Sequence, residues 1–474
     1  MNRQRRLLRP DRLALVVCTV VAAWSGTANA GIVTVGHDPQ PLPNCPWTAI
    51  GLPGTCLVQT AAQVQGNVGD LSQVRIGRGG QGSLWIDADA TLLVNRTNLS
   101  TSPLIPSVPD VVVGDDVGSV ASLDLTHGGR LTIDIASTTH GGLIIGPFAA
   151  PPGNAGPLPP PFGPSVGPST TMTILDDSQV NVNKPGGTGI GPAVTVGYGA
   201  GSNSSLLMDG GISGFGVQAK RAVLTTTGNM SIGREGIGSV AVFRNAELTA
   251  NVIWMSTVAP QGESVLSVGY GSTLNASGII AGIALANTPS GYDEFSPNHG
   301  TAVIATRDNG WINAPIVLGH GGTLMGTGTV AQVLNLGGTI RPGLSPGTMT
   351  IAGDYTDVGG HVVIEIGPTA SDFLSVAGNL SMSGSSIEFS FVDGFAPDAG
   401  FSYDFIDAAG NVDLNDLHFS YSGLQPGFSF TVDYDTHGEP LFRALNNGVS
   451  LPEPALPALL ALAALAAWAT RRRG

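Results

Sequence analysis

Two glycine-rich runs in this sequence have the spacing of loops that bind nucleotides or hold a nucleophile. The run GRGGQG at 77–82 matches G-x-G-x-x-G, which binds a dinucleotide where it opens a helix. A strand-like pattern with Trp85 and Ile86 follows it instead, so no helix N-terminus would meet a pyrophosphate. The run GLSPG at 343–347 matches G-x-S-x-G, but Pro346 lacks the backbone N–H that a nucleophile elbow needs for its oxyanion hole. We therefore predict neither a cofactor nor a catalytic residue from these runs.

Histidines and paired aspartates are the other candidates for chemistry. None of the eight histidines forms H-E-x-x-H, and His127, His140 and His320 each precede Gly-Gly, which is typical of turns. Paired aspartates could hold calcium, contact a glycan, or act as an acid and a base. A role in solvated turns is favoured, because no basic residue of the kind that a lyase needs is evident nearby. The two pairs are Asp115 with Asp116 and Asp176 with Asp177. We predict no metal-ligand set and no catalytic residue.

The stretch VRIGRGGQGSLWIDADATLLV at 74–94 is the unit that recurs along the chain. A short apolar strand leads to Gly77, a Gly/Ser turn follows, and a second strand alternates between apolar and polar residues. Period two is typical of a half-buried strand and not of a helix. We expect one face to carry Leu84, Ile86, Ala88, Ala90, Leu92 and Val94, and the opposite face to carry Trp85, Asp87, Asp89, Thr91 and Leu93.

Copies of this unit predict a repeat architecture. The glycines that end the first strand of each copy are Gly77, Gly114, Gly197, Gly233, Gly269 and Gly319, and three of their intervals are 37, 36 and 36 residues. Gly146 is expected to end a degenerate copy within the long interval from 114 to 197. A fixed period of this size indicates one supersecondary unit stacked many times, because a unit of two short strands cannot bury its apolar face alone. We predict an all-β, right-handed parallel β-helix (a β-solenoid) with an N-terminal signal helix and a C-terminal hydrophobic sorting helix.

Charge excludes one class of partner. The chain has a net charge of −14, but both of its ends are basic. Without the eight arginines and two carboxylates of those ends, 12 basic residues face 32 acidic ones, a net charge of −20. A surface of this sign repels phosphate backbones, so we expect no nucleic-acid partner.

Residues 1–30 have the composition of a secretory signal peptide. Five arginines in the first 12 residues precede an apolar run at 13–24, and Ala28 and Ala30 supply the small residues before a cleavage site. The expected partners are signal peptidase and the general export machinery. An uncleaved anchor is the alternative, which the shortness of the run disfavours.

Residues 31–73 are predicted to form an N-terminal cap on the repeats. They contain Cys45 and Cys56, and export permits a disulfide that would contribute about 2–3 kcal/mol by closing this short loop. A metal or redox pair is the alternative, but no C-x-x-C spacing or histidine cluster supports it.

The predicted repeat region, 74–320, contains an insertion at 149–169 with eight prolines. Proline cannot donate to a sheet ladder, so this segment is expected to form a polyproline-like loop outside the stack. A tolerated insertion is favoured over a docking motif.

The region 321–447 contains sequence motifs that differ from those of the repeats before it. It contains GTL at 322–324, GTG at 326–328, RPGLSPG at 341–347 and DFL at 372–374. These motifs resemble those of the carboxyl-terminal passenger region of bacterial autotransporters, which is β-helical. With the upstream units, 74–409 is similar to the repeats shared by type V secretion passengers and PEP-CTERM proteins.

Residues 448–474 resemble the PEP-CTERM sorting signal. Pro452, Glu453 and Pro454 precede an apolar run at 455–470 and a basic end of Arg471, Arg472 and Arg473. The resemblance implies processing by exosortase, a membrane protease/transpeptidase of Gram-negative bacteria. A helix of this length spans about 24 Å, which is marginal against a hydrocarbon core of about 30 Å, and terminal arginines stay cytoplasmic. We expect a transient inner-membrane anchor; an ordinary tail anchor is the alternative.

These observations predict an exported structural or adhesive component of the cell surface or exopolysaccharide matrix, with extracellular polysaccharide as a partner. The alternatives are a β-helical polysaccharide-degrading enzyme and a simple membrane-anchored binding module. A cleft of convergent carboxylates with a basic residue would favour the enzyme.

Overall fold

The computed structural model describes residues 33–35, 54–58, 62–66, 74–77, 81–87, 89–96, 111–114, 120–135, 142–146, 169–184, 192–199, 202–211, 220–234, 236–256, 263–283, 300–344, 346–393, 395–424 and 427–447. Within these residues the protein is all-β. The strands are β1 (Val33–Val35), β2 (Gly54–Val58), β3 (Ala62–Gly66), β4 (Val74–Ile76), β5 (Gln81–Ile86), β6 (Thr91–Arg96), β7 (Val111–Val113), β8 (Val120–Leu125), β9 (Arg130–Asp134), β10 (Leu143–Ile145), β11 (Ser169–Leu175), β12 (Gln179–Asn183), β13 (Val194–Val196), β14 (Asn203–Asp209), β15 (Val223–Thr226), β16 (Met230–Ile232), β17 (Ile237–Phe243), β18 (Glu247–Met255), β19 (Glu263–Gly269), β20 (Thr273–Ala281), β21 (Thr301–Arg307), β22 (Trp311–Leu318), β23 (Gly322–Gly326), β24 (Thr329–Leu336), β25 (Thr339–Pro342), β26 (Thr348–Ile351), β27 (Tyr355–Val358), β28 (His361–Ile366), β29 (Phe373–Val376), β30 (Leu380–Ser383), β31 (Ser386–Phe391), β32 (Ser402–Asp404), β33 (Ile406–Ala408), β34 (Val412–Asn415), β35 (His418–Ser422), β36 (Phe428–Tyr434) and β37 (Pro440–Asn447).

Two long parallel sheets contain nearly all of these strands. The first has 13 strands, from β2 to β35, and we call it face A. The second has 21 strands and contains two series, which we call faces B and C. Face B runs from β3 through β6 and β9 to β33, and face C runs from β1 through β4 and β7 to β34. The chain visits A, B and C in turn, which gives the β-helix-like arrangement expected from the repeats.

The number of strands in a turn differs along the chain. Turns from β2 to β16 have three strands, one on each face, where two were expected. The single strands β18, β20, β22 and β24 each cover both faces B and C, so their turns have two strands. The predicted single strand at 84–94 is divided between β5 and β6. Asp89 lies between them with φ 58°, and the Ala90 N–H donates to the Asp87 carbonyl at 3.1 Å. The inward alternation continues through this corner, so period two could not reveal it. The predicted inward residues Leu84, Ile86, Ala90, Leu92 and Val94 are all buried, and Ala88 lies outside the described residues.

The core consists of columns of inward side chains from successive turns. One column on face A joins residues that pair directly across the parallel strands, and each is at most 2% exposed. Its members include Leu84, Leu123, Met172, Leu206, Val240 and Leu266. Stacking therefore buries the apolar face that a single turn would leave exposed, as the repeat argument requires.

The corner between faces C and A is where the predicted glycines lie. Gly77, Gly114, Gly197 and Gly233 all have positive φ. Gly146 occupies the same corner, because its N–H donates to the Val113 carbonyl and the Gly197 N–H donates to the Ile145 carbonyl, at 2.8 and 2.9 Å. This confirms that 143–146 belongs to a degenerate copy.

One predicted corner glycine is wrong. Gly269 ends strand β19 on face A and pairs with Phe243 and Arg307. The corner of that turn is Ser256, with φ 51° and an N–H that donates to the Ile232 carbonyl at 3.0 Å. A glycine at the end of a face A strand and a corner glycine look alike in sequence, which explains the error.

A small antiparallel sheet covers the last turns of the stack of parallel strands, which we call the coil. It consists of β32, β37 and β36. Phe442 from this sheet is fully buried against Phe389 of β31, with ring centroids 4.7 Å apart. Phe428 packs on Phe391 at 5.3 Å in the same way. This aromatic cluster shields the C-terminal end of the core, which stacked-strand folds require.

Candidate functional site

Most of the sequence-predicted site residues lie outside the described residues. These are Ala28 and Ala30 of the expected signal cleavage site, Pro452, Glu453 and Pro454 of the sorting motif, Arg471, Arg472 and Arg473 of the tail, and Cys45. Cys56 is placed only as part of strand β2. The proline-rich insertion at 149–168, the pair Asp115 and Asp116, and His140 also lie outside the described part.

The described residues of the two glycine runs that resemble catalytic loops lie at corners or in strands. Gly77 lies at the corner after β4. A strand, β5, begins at Gln81, as the sequence predicted. The run at 343–347 lies between β25 and β26. Neither run precedes a helix, so the geometry of a phosphate loop or a nucleophile elbow is missing at both.

Asp176, Asp177 and His127 also lie at corners between strands, and His320 lies in the turn after β22. His127 has φ 48°, and its Nδ1 lies 2.8 Å from Oδ1 of Asp87. Asp176 has φ 57°, with Oδ1 3.6 Å from Nζ of Lys220. Asp177 Oδ1 accepts the Arg221 N–H at 3.0 Å. Their side chains hold neighbouring turns together, which agrees with the predicted turn role.

Two of the sequence motifs from the region 321–447 meet at one corner: RPGLSPG at 341–347 and DFL at 372–374. Asp372 Oδ1 accepts the Gly347 N–H at 2.8 Å, and its Oδ2 accepts the Glu365 N–H at 2.9 Å. Gly343 has φ 87°, and a Cβ there would lie 2.1 Å from Asp372 Oδ1. Only glycine therefore allows the carboxylate to approach this closely.

The Asp372 carboxyl titrates unusually. Burial raises the pKa of Asp372 to about 6, against the lowering effect of its backbone hydrogen bonds, and the Glu365 carboxylate raises it further. Tyr403 donates to the Asp372 carbonyl at 2.7 Å, and burial raises the pKa of Tyr403 to about 12. Asp372 is only 1% exposed, so it has no access to a substrate. It is a structural group that can change protonation in mildly acidic solution.

A second buried carboxylate stabilises the turns at 335–385. Asp357 is 1% exposed and accepts bonds from four donors. These are Nδ2 of Asn335 at 2.8 Å, the N–H of Gly360 at 2.8 Å, Oγ of Ser385 at 2.6 Å and the hydroxyl of Tyr355. Burial raises the pKa of Tyr355 well above its ordinary value, and the Asp357 carboxylate adds to this. The network satisfies a charge that would otherwise be costly to bury.

Face B carries an exposed aromatic residue among polar side chains. Trp311 is 47% exposed at the start of β22. It pairs with Thr273 on one side and Thr329 on the other, so all three point outward in one column. A second outward column contains Thr249, Asn275 and Asn313. We call these six residues the Trp311 face.

Hydrogen bonds between rungs order the amides of the Trp311 face. Asn313 Nδ2 donates to Asn275 Oδ1 at 3.1 Å, and Asn275 Nδ2 donates to Glu247 Oε1 at 3.2 Å. Glu247 in turn forms an ion pair with Arg221. The amides are thus held in fixed orientations on a rigid sheet, as a preorganised binding surface needs.

A cleft lies where the antiparallel sheet meets the coil. Glu439 Oε1 accepts the Ala408 N–H at 2.7 Å. Asp435 accepts the N–H groups of His437 and Glu439 at 2.8 and 2.9 Å, and the bond from Glu439 lowers the pKa of Asp435. Glu439 therefore connects the antiparallel sheet to strand β33, and Asp435 orders the turn at 435–439. The cleft has a volume of about 280 Å³ and is lined by Phe373, Asp404, Ile406, Asp407, Asp435, Glu439 and Pro440.

The cleft and the Trp311 face were both missed from the sequence. The segment WINAPIVL of β22 alternates, and its polar and aromatic positions signalled an outward Trp311 and Asn313. The cleft gave no such signal, because its residues come from β29, β32, β33 and the 435–440 turn. Among the described residues, no group of three or more potential ligand side chains could hold a metal ion.

Comparison with known proteins adds no assignment to this geometry. No protein-family model matches the chain, and no curated protein matches it significantly. In the part of the chain that the structure describes, we find no helix with the length and hydrophobicity to cross a membrane.

Proposed function

We propose that this protein is exported, sorted by exosortase, and serves as a structural or adhesive component of the cell surface or exopolysaccharide matrix of a Gram-negative bacterium. In this proposal residues 1–30 are removed by signal peptidase, and residues 448–474 anchor the chain in the inner membrane until exosortase acts. The coil is right-handed, because crossover connections between parallel strands are right-handed in almost all proteins.

The observation that carries the proposal is the long coil with polar, repeated outer faces. On face A, one outward column presents five hydroxyl residues on successive turns: Ser83, Ser122, Thr171, Ser205 and Ser239. Equal groups at the strand spacing of about 4.8 Å offer many weak, equivalent contacts. Avidity from such contacts suits a matrix component better than one deep pocket would.

Mass spectrometry of the mature ends tests export and sorting together. We expect an N-terminus at Gly31 and a C-terminus near Pro452. A mature protein that keeps residues 1–30 would contradict export by signal peptidase. A C-terminus at Gly474, with Arg471 retained, would replace exosortase sorting by the membrane-anchored binding module.

A glycan-degrading enzyme is the second candidate, and the acidic cleft is the observation that favours it. Asp404 and Asp407 line the cleft together with Asp435 and Glu439. The hydrogen bonds described above give structural roles to Asp435 and Glu439 but not to Asp404 and Asp407. The described lining contains no basic residue of the kind that we expected of a lyase. A depolymerisation assay distinguishes the candidates, because turnover abolished by Asp404→Asn or Asp407→Asn alone would reject the scaffold function.

A further inference from the structure

Trp311 has a position that core packing does not explain. Its neighbours along β22 at 312 and 314 are buried, whereas Trp311 points outward and is 47% exposed. An indole carries the largest apolar side-chain surface of any residue and also an N–H donor. A large exposed aromatic residue on a rigid strand, among polar side chains, is typical of a contact surface.

The groups around Trp311 can form hydrogen bonds and carry no charge. Thr273 and Thr329 flank the ring with hydroxyls, and Asn275 and Asn313 present carboxamides in the next column. Hydroxyls and carboxamides both donate and accept, which matches the mixed donor and acceptor character of sugar hydroxyls. The apolar C–H face of a pyranose ring can pack on the indole while its hydroxyls reach these side chains.

The charges at the border of this face are balanced and offer a polyanion no net positive charge. Glu247, the nearest carboxylate in the Thr273 column, is already paired with Arg221. Arg307 and Asp308 both lie exposed at the corner that precedes Trp311. Because the border adds no net positive charge, the acidic body of the protein disfavours a phosphorylated or carboxylated chain.

From this geometry we propose that the Trp311 face binds an extended, uncharged polysaccharide, with Trp311 stacked on a sugar ring and Asn313 and Asn275 bonded to its hydroxyls. Turns repeat at about 4.8 Å, so consecutive residues of an extended glycan can meet consecutive rungs. The inference rests on the proposed surface function and names the ligand class of that function.

Affinity electrophoresis of the purified full chain tests the proposal. Native gels would contain hydroxyethylcellulose, dextran or galactomannan as neutral probes and alginate as an anionic probe. We expect retardation by at least one neutral probe and none by alginate. Trp311→Ala should weaken the apparent affinity at least about tenfold, the size of a lost aromatic hot spot, and Asn313→Ala should weaken it severalfold.

Trp85→Ala is the matched control, because Trp85 is a 42% exposed tryptophan on face A. It should bind as the unchanged protein does. Circular dichroism should be the same for all variants, because both indoles point away from the core. Binding to none of the neutral probes, equal losses for Trp85→Ala and Trp311→Ala, or equal retardation by alginate would overturn the proposal.

The result is independent of export and sorting. A correctly processed protein that binds no neutral glycan would overturn this inference and leave the sorting proposal standing. A protein that binds through Trp311 but retains both terminal segments would do the reverse.

Discussion

Substitution of Gly343 by alanine should destabilise its corner in two ways: by backbone strain and by displacing the Asp372 carboxylate. In Gly343→Ala the backbone would keep φ 87°, which costs a non-glycine residue about 1–2 kcal/mol. The new Cβ would also lie 2.1 Å from Asp372 Oδ1, so the carboxylate must move. Its bonds to the N–H groups of Gly347 and Glu365, at 2.8 and 2.9 Å, would then break. Hydrogen bonds to a charged group contribute about 1.5–3 kcal/mol each.

Gly359→Ala is the matched control. Gly359 also has a left-handed backbone, with φ 66°, but a Cβ there would have no atom within 4 Å. It should therefore cost only the backbone strain of about 1–2 kcal/mol. We expect Gly343→Ala to destabilise its turn by about 3 kcal/mol more than Gly359→Ala, because only the first variant displaces a buried carboxylate.

Hydrogen exchange measured by mass spectrometry is the suitable assay. A stacked-strand protein unfolds by neighbouring turns, so one global free energy does not describe a local change. Peptides covering β25, β26 and β29 should lose protection in Gly343→Ala and keep it in Gly359→Ala. Equal protection in the two variants would refute the assigned role of the Gly343–Asp372 contact.

Two further predictions concern buried carboxylates. Asp357→Ala leaves four buried donors without their acceptor and should cost about 3–5 kcal/mol in local stability, whereas Asp354→Ala removes an exposed carboxylate whose two bonds from Asn379 water can replace and should cost about 1 kcal/mol; similar exchange protection in the two variants would contradict this. For Asp372 the folded pKa of about 6 exceeds the ordinary 3.8, so the folded protein binds the extra proton. This contribution is greatest below about pH 4 and is lost as the pH rises through 6. The free energy of opening at β29 should increase by about 2 kcal/mol from pH 7 to pH 4, and Asp372→Asn should abolish that dependence; an unchanged pH profile in Asp372→Asn would contradict it.

The sequence predicted the buried set well, because side-chain alternation survives the changes of direction in this fold. Leu84, Ile86 and Leu92 were assigned to the interior correctly although they lie on two strands and not one. Gly146 was found by spacing alone. The corner at Asp89 was not predicted, because a turn that preserves the alternation leaves no trace in the hydrophobic pattern.

The sequence pattern did not predict which residues of successive turns lie next to each other. Asp372 meets Gly343, and Trp311 stands between Thr273 and Thr329, because parallel pairing fixes one register among several that the pattern would allow. Bulges in the pairing of β22 with β20 and β24 shift that register.

The sequence by itself therefore determined the all-β class, the stacked repeats and which side chains point inward, since these depend on local periodicity and on turn residues. Only the tertiary structure decided how many strands each turn has, which outward residues share a column, and where carboxylates are buried or gathered. The physical reason is that burial and charge interactions depend on distances between turns, which are set by packing and register across many residues of chain.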